Sequence, residues 1–263
     1  MSMKLCRFTH RNASEPHYGI VEDGFVRPLA DEDVFDGRRQ ADSAQIPLAE
    51  IKLLPPVTPS KIVCVGRNYK EHAAELGNTL PPEPLLFLKA PSAIIGSGEA
   101  IILPPESVQV EHEGEIGVVI GRIAARLGES DDPLNYVLGY TCVNDVTARD
   151  LQRKDVQFTR AKSFDTFCPV GPFIVTNINP ADLLVTTRVN GETKQQARTS
   201  SMAFSIPNLL RYISSAMTLY PGDLIATGTP AGVSRLKHGD MVEVEVEGIG
   251  VLQNKVREFG AEV

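Results

Sequence analysis

Val110-Glu111-His112-Glu113-Gly114-Glu115-Ile116-Gly117-Val118-Val119-Ile120-Gly121 is the stretch that decides how this chain of 263 residues is read. Its second half is apolar and β-branched, with a glycine on either side of Val118-Val119-Ile120, the pattern of a buried strand. Its first half carries carboxylates at 111, 113 and 115. Side chains on a strand return to one face every second residue, about 6.6 Å apart, so the three acids are expected to share a face at the mouth of the strand. Like charges so placed repel unless something neutralises them. A hard divalent cation is the simplest neutraliser, because Mg²⁺, Mn²⁺ and Ca²⁺ prefer oxygen ligands. A charged edge strand facing water is the plainer alternative.

The composition sets bounds around that stretch. With 42% hydrophobic residues the chain can bury a large core as one big domain, or as one domain with a small appendage. A net charge of −7 and a pI near 5.3 argue against a nucleic-acid partner. No apolar run approaches the ~20 residues that span a bilayer, and the segment from Met1 to Arg7 lacks the apolar core of a signal peptide. Cys6, Cys64, Cys142 and Cys168 are far apart with no Cys-x-x-Cys pair, so neither a zinc–thiolate site nor a disulfide framework is expected. Cys64 and Cys142 lie in apolar runs and read as core. The expectation is a soluble protein of a reducing, cytoplasmic compartment.

Short strands are expected at 4–8, 17–21 and 24–28, with Asp23-Gly24 as a hairpin turn. Residues 31–50 are polar, and the charged run at 36–40 reads as a solvated loop. The joint Pro55-Pro56-Val57-Thr58-Pro59 blocks both helix and central strand, and divides the chain into a small N-terminal domain, 1–56, and a larger domain, 57–263. A buried strand follows at 61–66. A short helix comes next, with Asn68 as its N-cap, Glu71 at the third helical position and Gly77 as its stop. His72 and Glu75 lie three apart on it, so they share a face and can hydrogen-bond. So short a helix needs packing or a ligand to stay ordered.

Further strands are expected at 85–89, 100–103 and 136–146. The last ends in Asn144-Asp145, where an acid can complete a cation site begun on a neighbouring strand; capping the next helical turn, at 147–152, is its other reading. Residues 160–167 read as loop, and 173–175 as strand. Asn190-Gly191 marks a hairpin between 184–189 and 192–196. A helix spans 206–217 with Pro207 in its first turn, a turn–strand–turn covers 221–232, and a final hairpin lies within 241–255. Many short strands and few helices give a β-rich, α+β class.

Five motifs occur in one order: Gly66-Arg67-Asn68-Tyr69-x-x-His72-x-x-Glu75, Glu113 to Gly121, Asn144-Asp145-Val146-Thr147-Ala148-Arg149-Asp150, Ala161-Lys162-Ser163-Phe164-Asp165 and Thr227-Gly228-Thr229-Pro230. Each is weak alone and the set is specific. Over roughly residues 58–255 the chain resembles the fumarylacetoacetate hydrolase family, nearest to its shorter acylpyruvase and oxaloacetate decarboxylase branch. The resemblance implies a mixed β-roll catalytic domain, usually a homodimer, behind a small N-terminal α/β subdomain like that of some bacterial members. It implies Mg²⁺ or Mn²⁺ held by Glu113, Glu115 and Asp145. Glu111 matches no ligand of the pattern and is expected behind the ligands or facing solvent. His72 and Glu75 become a catalytic dyad on a lid helix, with Lys162 as the catalytic lysine. Arg67, Gln152 and Thr229 become contacts to a small 2-oxo acid substrate.

The enzyme so implied is a hydrolase or decarboxylase. It performs divalent-metal-dependent C–C bond cleavage of short 2-oxo acids, by acylpyruvate hydrolysis and/or oxaloacetate decarboxylation, through an enolate stabilised by the ion. Lys162 would add positive charge or protonate the enolate. His72, oriented by Glu75, would take a proton from attacking water during hydrolysis. Two alternatives stand beside this: an isomerase or decarboxylase of 2-hydroxyhepta-2,4-diene-1,7-dioate-type diacids in aromatic catabolism, and a metal-dependent 2-oxo acid binding protein without turnover. A binder has no use for an acid/base dyad, which argues against the last. The reactions would share one site, so the motif residues do not separate them.

Overall fold

The computed structural model describes residues 2–10, 15–29, 34, 35 and 41–261. The charged run at 36–40 lies outside the described residues.

The strand Gly114–Ile120 is buried along its whole length. Ile116, Val118 and Ile120 enter one core, shared with Leu209, Leu210 and Ile213 of the helix Ile206–Ala216 and with Val185, Val244 and Leu252. Val119 enters a second core with Cys64, Val143 and Ile174. The period-two alternation thus serves two apolar layers rather than one layer and water. The four cysteines are free and buried.

Around this strand runs a twelve-stranded mixed sheet. Its order is Ile46–Pro47, Phe25–Pro28, His17–Glu22, Lys4–His10, Cys168–Val175, Val137–Asn144, Gly114–Ile120, Leu224–Ala226, Ile62–Gly66 and Leu85–Lys89. Ile51–Leu54 and Ile94–Ile95 pair off this path. A five-stranded sheet packs against it: Glu192–Arg198, Leu184–Val189, Met241–Val246, Gly250–Glu258 and Ile101–Leu103. The approach is close. A Cβ on Gly114 would lie 1.9 Å from Thr187 Oγ1 of the second sheet, so only glycine fits there.

Register places the functional groups. Gly114 pairs antiparallel with Asn144, so Asn144-Asp145 at the end of one strand meets Glu113 at the start of the other. The Asp145 N–H donates to the Glu113 carbonyl at 2.8 Å, and the Glu113 N–H to Asn144 Oδ1 at 2.9 Å. After the break at 112–113, Val110–Glu111 pairs with Thr147–Ala148 and continues the ladder.

The leading segment joins the same sheet, with Lys4 opposite Val175 and Leu5 opposite Ile174. Its described part consists of strands and one 3₁₀ turn, Leu48–Glu50. Asp23 and Gly24 both take positive φ, as the hairpin turn requires. No helix among the described residues is long and apolar enough to cross a membrane.

Two local expectations are corrected. Asn68 does not cap the short helix, which spans Lys70–Glu75 with Tyr69 at its N-cap position and no side-chain cap. Its Oδ1 accepts the Phe204 N–H at 2.8 Å instead, and its amide donates to the Thr227 and Phe204 carbonyls at 2.7 and 3.1 Å, tying the entry of this helix to the turn after Leu224–Ala226. The segment 160–167 is not all loop, because Thr159–Lys162 forms one helical turn. That turn packs Ala161 and Lys162 inward, and tertiary burial prevails over the weak local signal.

Candidate active site

Glu113, Glu115 and Asp145 each offer a carboxylate oxygen within 4.8 Å of the others, and all three are buried. The donors are all oxygen, and they come from the facing ends of two paired strands. That set fits a hard divalent cation. Glu115 carries the strongest sign of it. One oxygen accepts the Gly228 N–H at 2.7 Å, but burial, then Asp145 and Glu113, push its carboxyl well above the ordinary range.

Three buried cations surround these acids. The Lys162 ammonium bridges Glu113 Oε2 and Asp145 Oδ2, each at 2.7 Å. Lys89, at the end of Leu85–Lys89, reaches the other Asp145 oxygen at 2.6 Å and the Val146 carbonyl at 3.1 Å. Arg149, opening the helix Arg149–Lys154, donates to Glu111 at 2.8 Å, to Gln152 Oε1 at 2.6 Å, and to Glu113. Burial alone would raise Glu113, but Lys162 and Arg149 overcompensate and hold it far below the ordinary carboxylate range. Burial likewise works against Lys162, yet Asp145 and Glu113 raise it, so it remains an ammonium.

Glu111, expected behind the ligands or in solvent, is buried between Arg149 and the Gln109 amide, which donates to it at 2.6 Å. The three acids do line one cavity, as strand alternation predicts, but only two join Asp145.

The cavity has a volume of about 550 Å³. The short helix Lys70–Glu75 forms part of its wall with His72 and Glu75. His72 Nδ1 lies 3.2 Å from Glu75 Oε2, and both Glu75 oxygens accept the Gly232 N–H, at 3.0 and 3.2 Å. A carboxylate at Nδ1 selects the Nδ1–H tautomer and leaves Nε2 as the base. Gln152 also lines the cavity; its carbonyl is engaged by Arg149, and its amide hydrogens have no acceptor among the described residues. Arg67 lines it with φ of +57°, a left-handed backbone that is strained for such a residue, and its guanidinium has no acceptor among the described residues. Leu85, Phe87, Phe158 and Val233 supply an apolar side.

All nine residues expected at the site, His72, Glu75, Lys162, Arg67, Gln152, Thr229, Glu113, Glu115 and Asp145, line this one cavity. Lys89, Arg149 and Gln109 were missed as site residues. Arg149 stands inside a quoted motif, one step from Asp150, and that was an available signal. A lysine closing a short apolar strand ordinarily reads as that strand's exit to water, and Lys89 gave no other sign.

Comparison with known proteins identifies relatives of the chain along most of its length. The family model for the fumarylacetoacetate hydrolase C-terminal region matches residues 61–257, and an Rv2993c-like N-terminal model matches 3–56. Oxaloacetate tautomerase Fahd2a of Rattus norvegicus is 39% identical over 289 residues, covering 97% of this chain and 92% of that protein. The crystal structure of 2-hydroxyhepta-2,4-diene-1,7-dioate isomerase from Mycobacterium marinum superposes with a TM-score of 0.90 at 42% identity, covering 98% of this chain and all of that one. Maleylpyruvate hydrolase from Sphingobium, solved with manganese(II) and pyruvate, gives 0.80 at 31% identity, covering 97% and 99%.

Proposed function

The chain belongs to the fumarylacetoacetate hydrolase family, and we propose that it is an enzyme that forms and reprotonates the enolate of a short 2-oxo acid. The observation that carries this reading is the buried Glu113–Glu115–Asp145 cluster opening into the same cavity as the His72–Glu75 dyad and Lys162. A Mg²⁺ or Mn²⁺ ion held by the three acids would supply positive charge beside the 2-oxo group and acidify the neighbouring C3–H.

The side chains divide the remaining work. Lys162 places an ammonium next to the developing oxyanion. The amide hydrogens of Gln152 and the unpartnered Arg67 receive the substrate carboxylates. His72 Nε2, held by Glu75 through Nδ1–H, carries the proton between C3 and the 2-oxo oxygen: it leaves C3 and ends on the oxygen when the enol forms, and the reverse gives the ketone. Keto–enol exchange of oxaloacetate needs nothing more. We place it first because the rat relative that matches nearly the whole chain is an oxaloacetate tautomerase.

C–C bond cleavage is the second reading, favoured by a cavity whose apolar side leaves room for an acyl tail and a water beyond a four-carbon acid. There His72 would deprotonate water attacking the distal carbonyl. In decarboxylation, C4 would leave as CO₂ and C3 would take a proton.

The test uses metal-stripped protein with and without restored Mg²⁺ or Mn²⁺. Enol-enriched oxaloacetate is followed by loss of enol absorbance, pyruvate release by a coupled dehydrogenase, and acetylpyruvate by its own absorbance. Metal-dependent enol loss without pyruvate identifies a tautomerase. Pyruvate from either substrate identifies cleavage. Loss of neither substrate above the no-enzyme metal control sinks the proposal.

A further inference from the structure

His112 stands between Glu111 and Glu113, yet it turns away from the acids and is fully buried. Its surroundings are fixed by groups of known polarity. The Pro230 carbonyl can only accept, so the Gln195 side chain points Nε2 at it, 2.6 Å away. The Gly114 N–H can only donate, so Oε1 faces it at 3.0 Å. The same Oε1 meets His112 Nδ1 at 3.0 Å, and Nδ1 therefore carries the proton. His112 Nε2 is left to accept from the Ser234 hydroxyl at 2.9 Å. Gln195 Nε2 gives its second hydrogen to Thr229 Oγ1 at 2.7 Å, and Thr229 passes its own to the Gly114 carbonyl at 2.9 Å.

Every hydrogen of this chain is spent inside the protein. The Thr229 hydroxyl has none to offer a ligand, although Thr229 lines the cavity. Its backbone N–H, by contrast, has no acceptor among the described residues. In a residue only 2% exposed, an unpaired donor is ready for an anion.

We infer that His112 and Gln195 are positioning residues that hold the Thr229–Pro230 turn so that its backbone N–H receives a carboxylate oxygen of the substrate. This rests on the cavity being the 2-oxo acid site. His112 acts through two intervening residues: its Nδ1–H stops the Gln195 amide from rotating, and Gln195 stops the turn from moving. His112 and Gln195 bond to no carboxylate of the cation cluster, so they reach the metal ligands only through the backbone of Gly114 and Gly228.

The test compares wild type with His112→Phe, His112→Asn and Ser234→Ala. It measures KM and kcat on oxaloacetate, and the affinities for Mg²⁺ alone and for oxalate with Mg²⁺, by calorimetry. In His112→Phe, oxalate Kd and KM rise about tenfold, the equivalent of one hydrogen bond, while kcat stays within about threefold. Mg²⁺ affinity changes by less than about threefold, a smaller effect than on oxalate because no carboxylate loses a side-chain partner. His112→Asn keeps a donor near the Nδ1 position and recovers most of the loss. Ser234→Ala, which removes only the Nε2 partner, raises KM about threefold and decides the matter if the Phe variant does not fold. Unchanged oxalate affinity in a folded variant, Mg²⁺ affinity falling in parallel, or no recovery by Asn overturns the inference. Wild-type protein that fails to bind oxalate with Mg²⁺ overturns the reading of the cavity itself, and this inference with it.

Discussion

Replacing Glu115 with glutamine should abolish turnover and yet stabilise the protein when no divalent ion is present. Ionised Glu115 has carboxylate oxygens of Glu113 and Asp145 within 4.8 Å, which at an effective dielectric of 20 means repulsion of about 3.5 kcal/mol from each. Burial adds to this, so the carboxyl stays protonated well above its ordinary value of 4.5. The proton sets a ceiling. At pH 7.5 holding it costs at most about 1.36 kcal/mol for each pH unit above the ordinary value, a limit of roughly 4 kcal/mol. Glutamine needs no proton, but it brings an NH₂ into a site built for oxygens, a loss of about 1–2 kcal/mol. The net gain is therefore at most about 2–3 kcal/mol, and the rise in Tm for a chain of this size is at most about 10 °C.

The pH sign follows from the raised carboxyl. Its contribution to wild-type stability is complete below the ordinary carboxylate value and is lost as pH rises through the raised one. The advantage of Glu115→Gln therefore widens from pH 5 to pH 8. Glu113 does not oppose this trend, because its depressed carboxyl keeps its full contribution throughout that range. Mg²⁺ at about 100 times its Kd should add about 2.7 kcal/mol to wild type and little to the variant. Differential scanning fluorimetry in chelator and in Mg²⁺, at both pH values, measures all of this. A variant that melts below wild type in chelator, or a gap that does not change with pH, would refute the reasoning.

Other outcomes follow from the same geometry. Lys89→Met strips a fully buried partner from Asp145 and should lower stability by about 3–5 kcal/mol in urea unfolding; a loss under about 1 kcal/mol would mean that Lys162 alone satisfies Asp145. His72→Asn and Glu75→Gln should each lower kcat by about 10²–10⁴-fold with oxalate affinity nearly constant, whereas a parallel loss of affinity would make the lid a binding element only. Gly232→Ala should cut activity at least about tenfold while the core still melts cooperatively, because φ is +105° and a Cβ would lie 1.9 Å from the Lys194 carbonyl, forcing the turn away from Glu75; near-normal turnover would show that the Gly232–Glu75 contact is dispensable.

Much of this molecule is written locally. Apolar alternation marks Gly114–Ile120 as a strand, and the two-residue step puts Glu113 and Glu115 on one side of it. Asp23-Gly24, Gly77 and Asn190-Gly191 all adopt the positive φ their positions imply. The three-residue step from His72 to Glu75 gives their hydrogen bond directly. These features depend only on neighbours within one turn or one strand, so spacing and residue type suffice.

The neutralisation of the acids is another matter. Lys89 is 56 residues from Asp145, and Gln195 is 83 from His112. They meet because of strand order and register, which sequence periodicity does not encode. Asn68 has the chemistry of a helix cap, but the Phe204 N–H takes its Oδ1, the capping acceptor, while its amide donates to the Thr227 and Phe204 carbonyls. Sequence by itself settled the strands, the turns and the acids that face one cavity. Tertiary structure decided which cations balance those acids and which groups keep their hydrogens free, because a buried charge or donor must be satisfied by whatever the fold brings within about 3 Å.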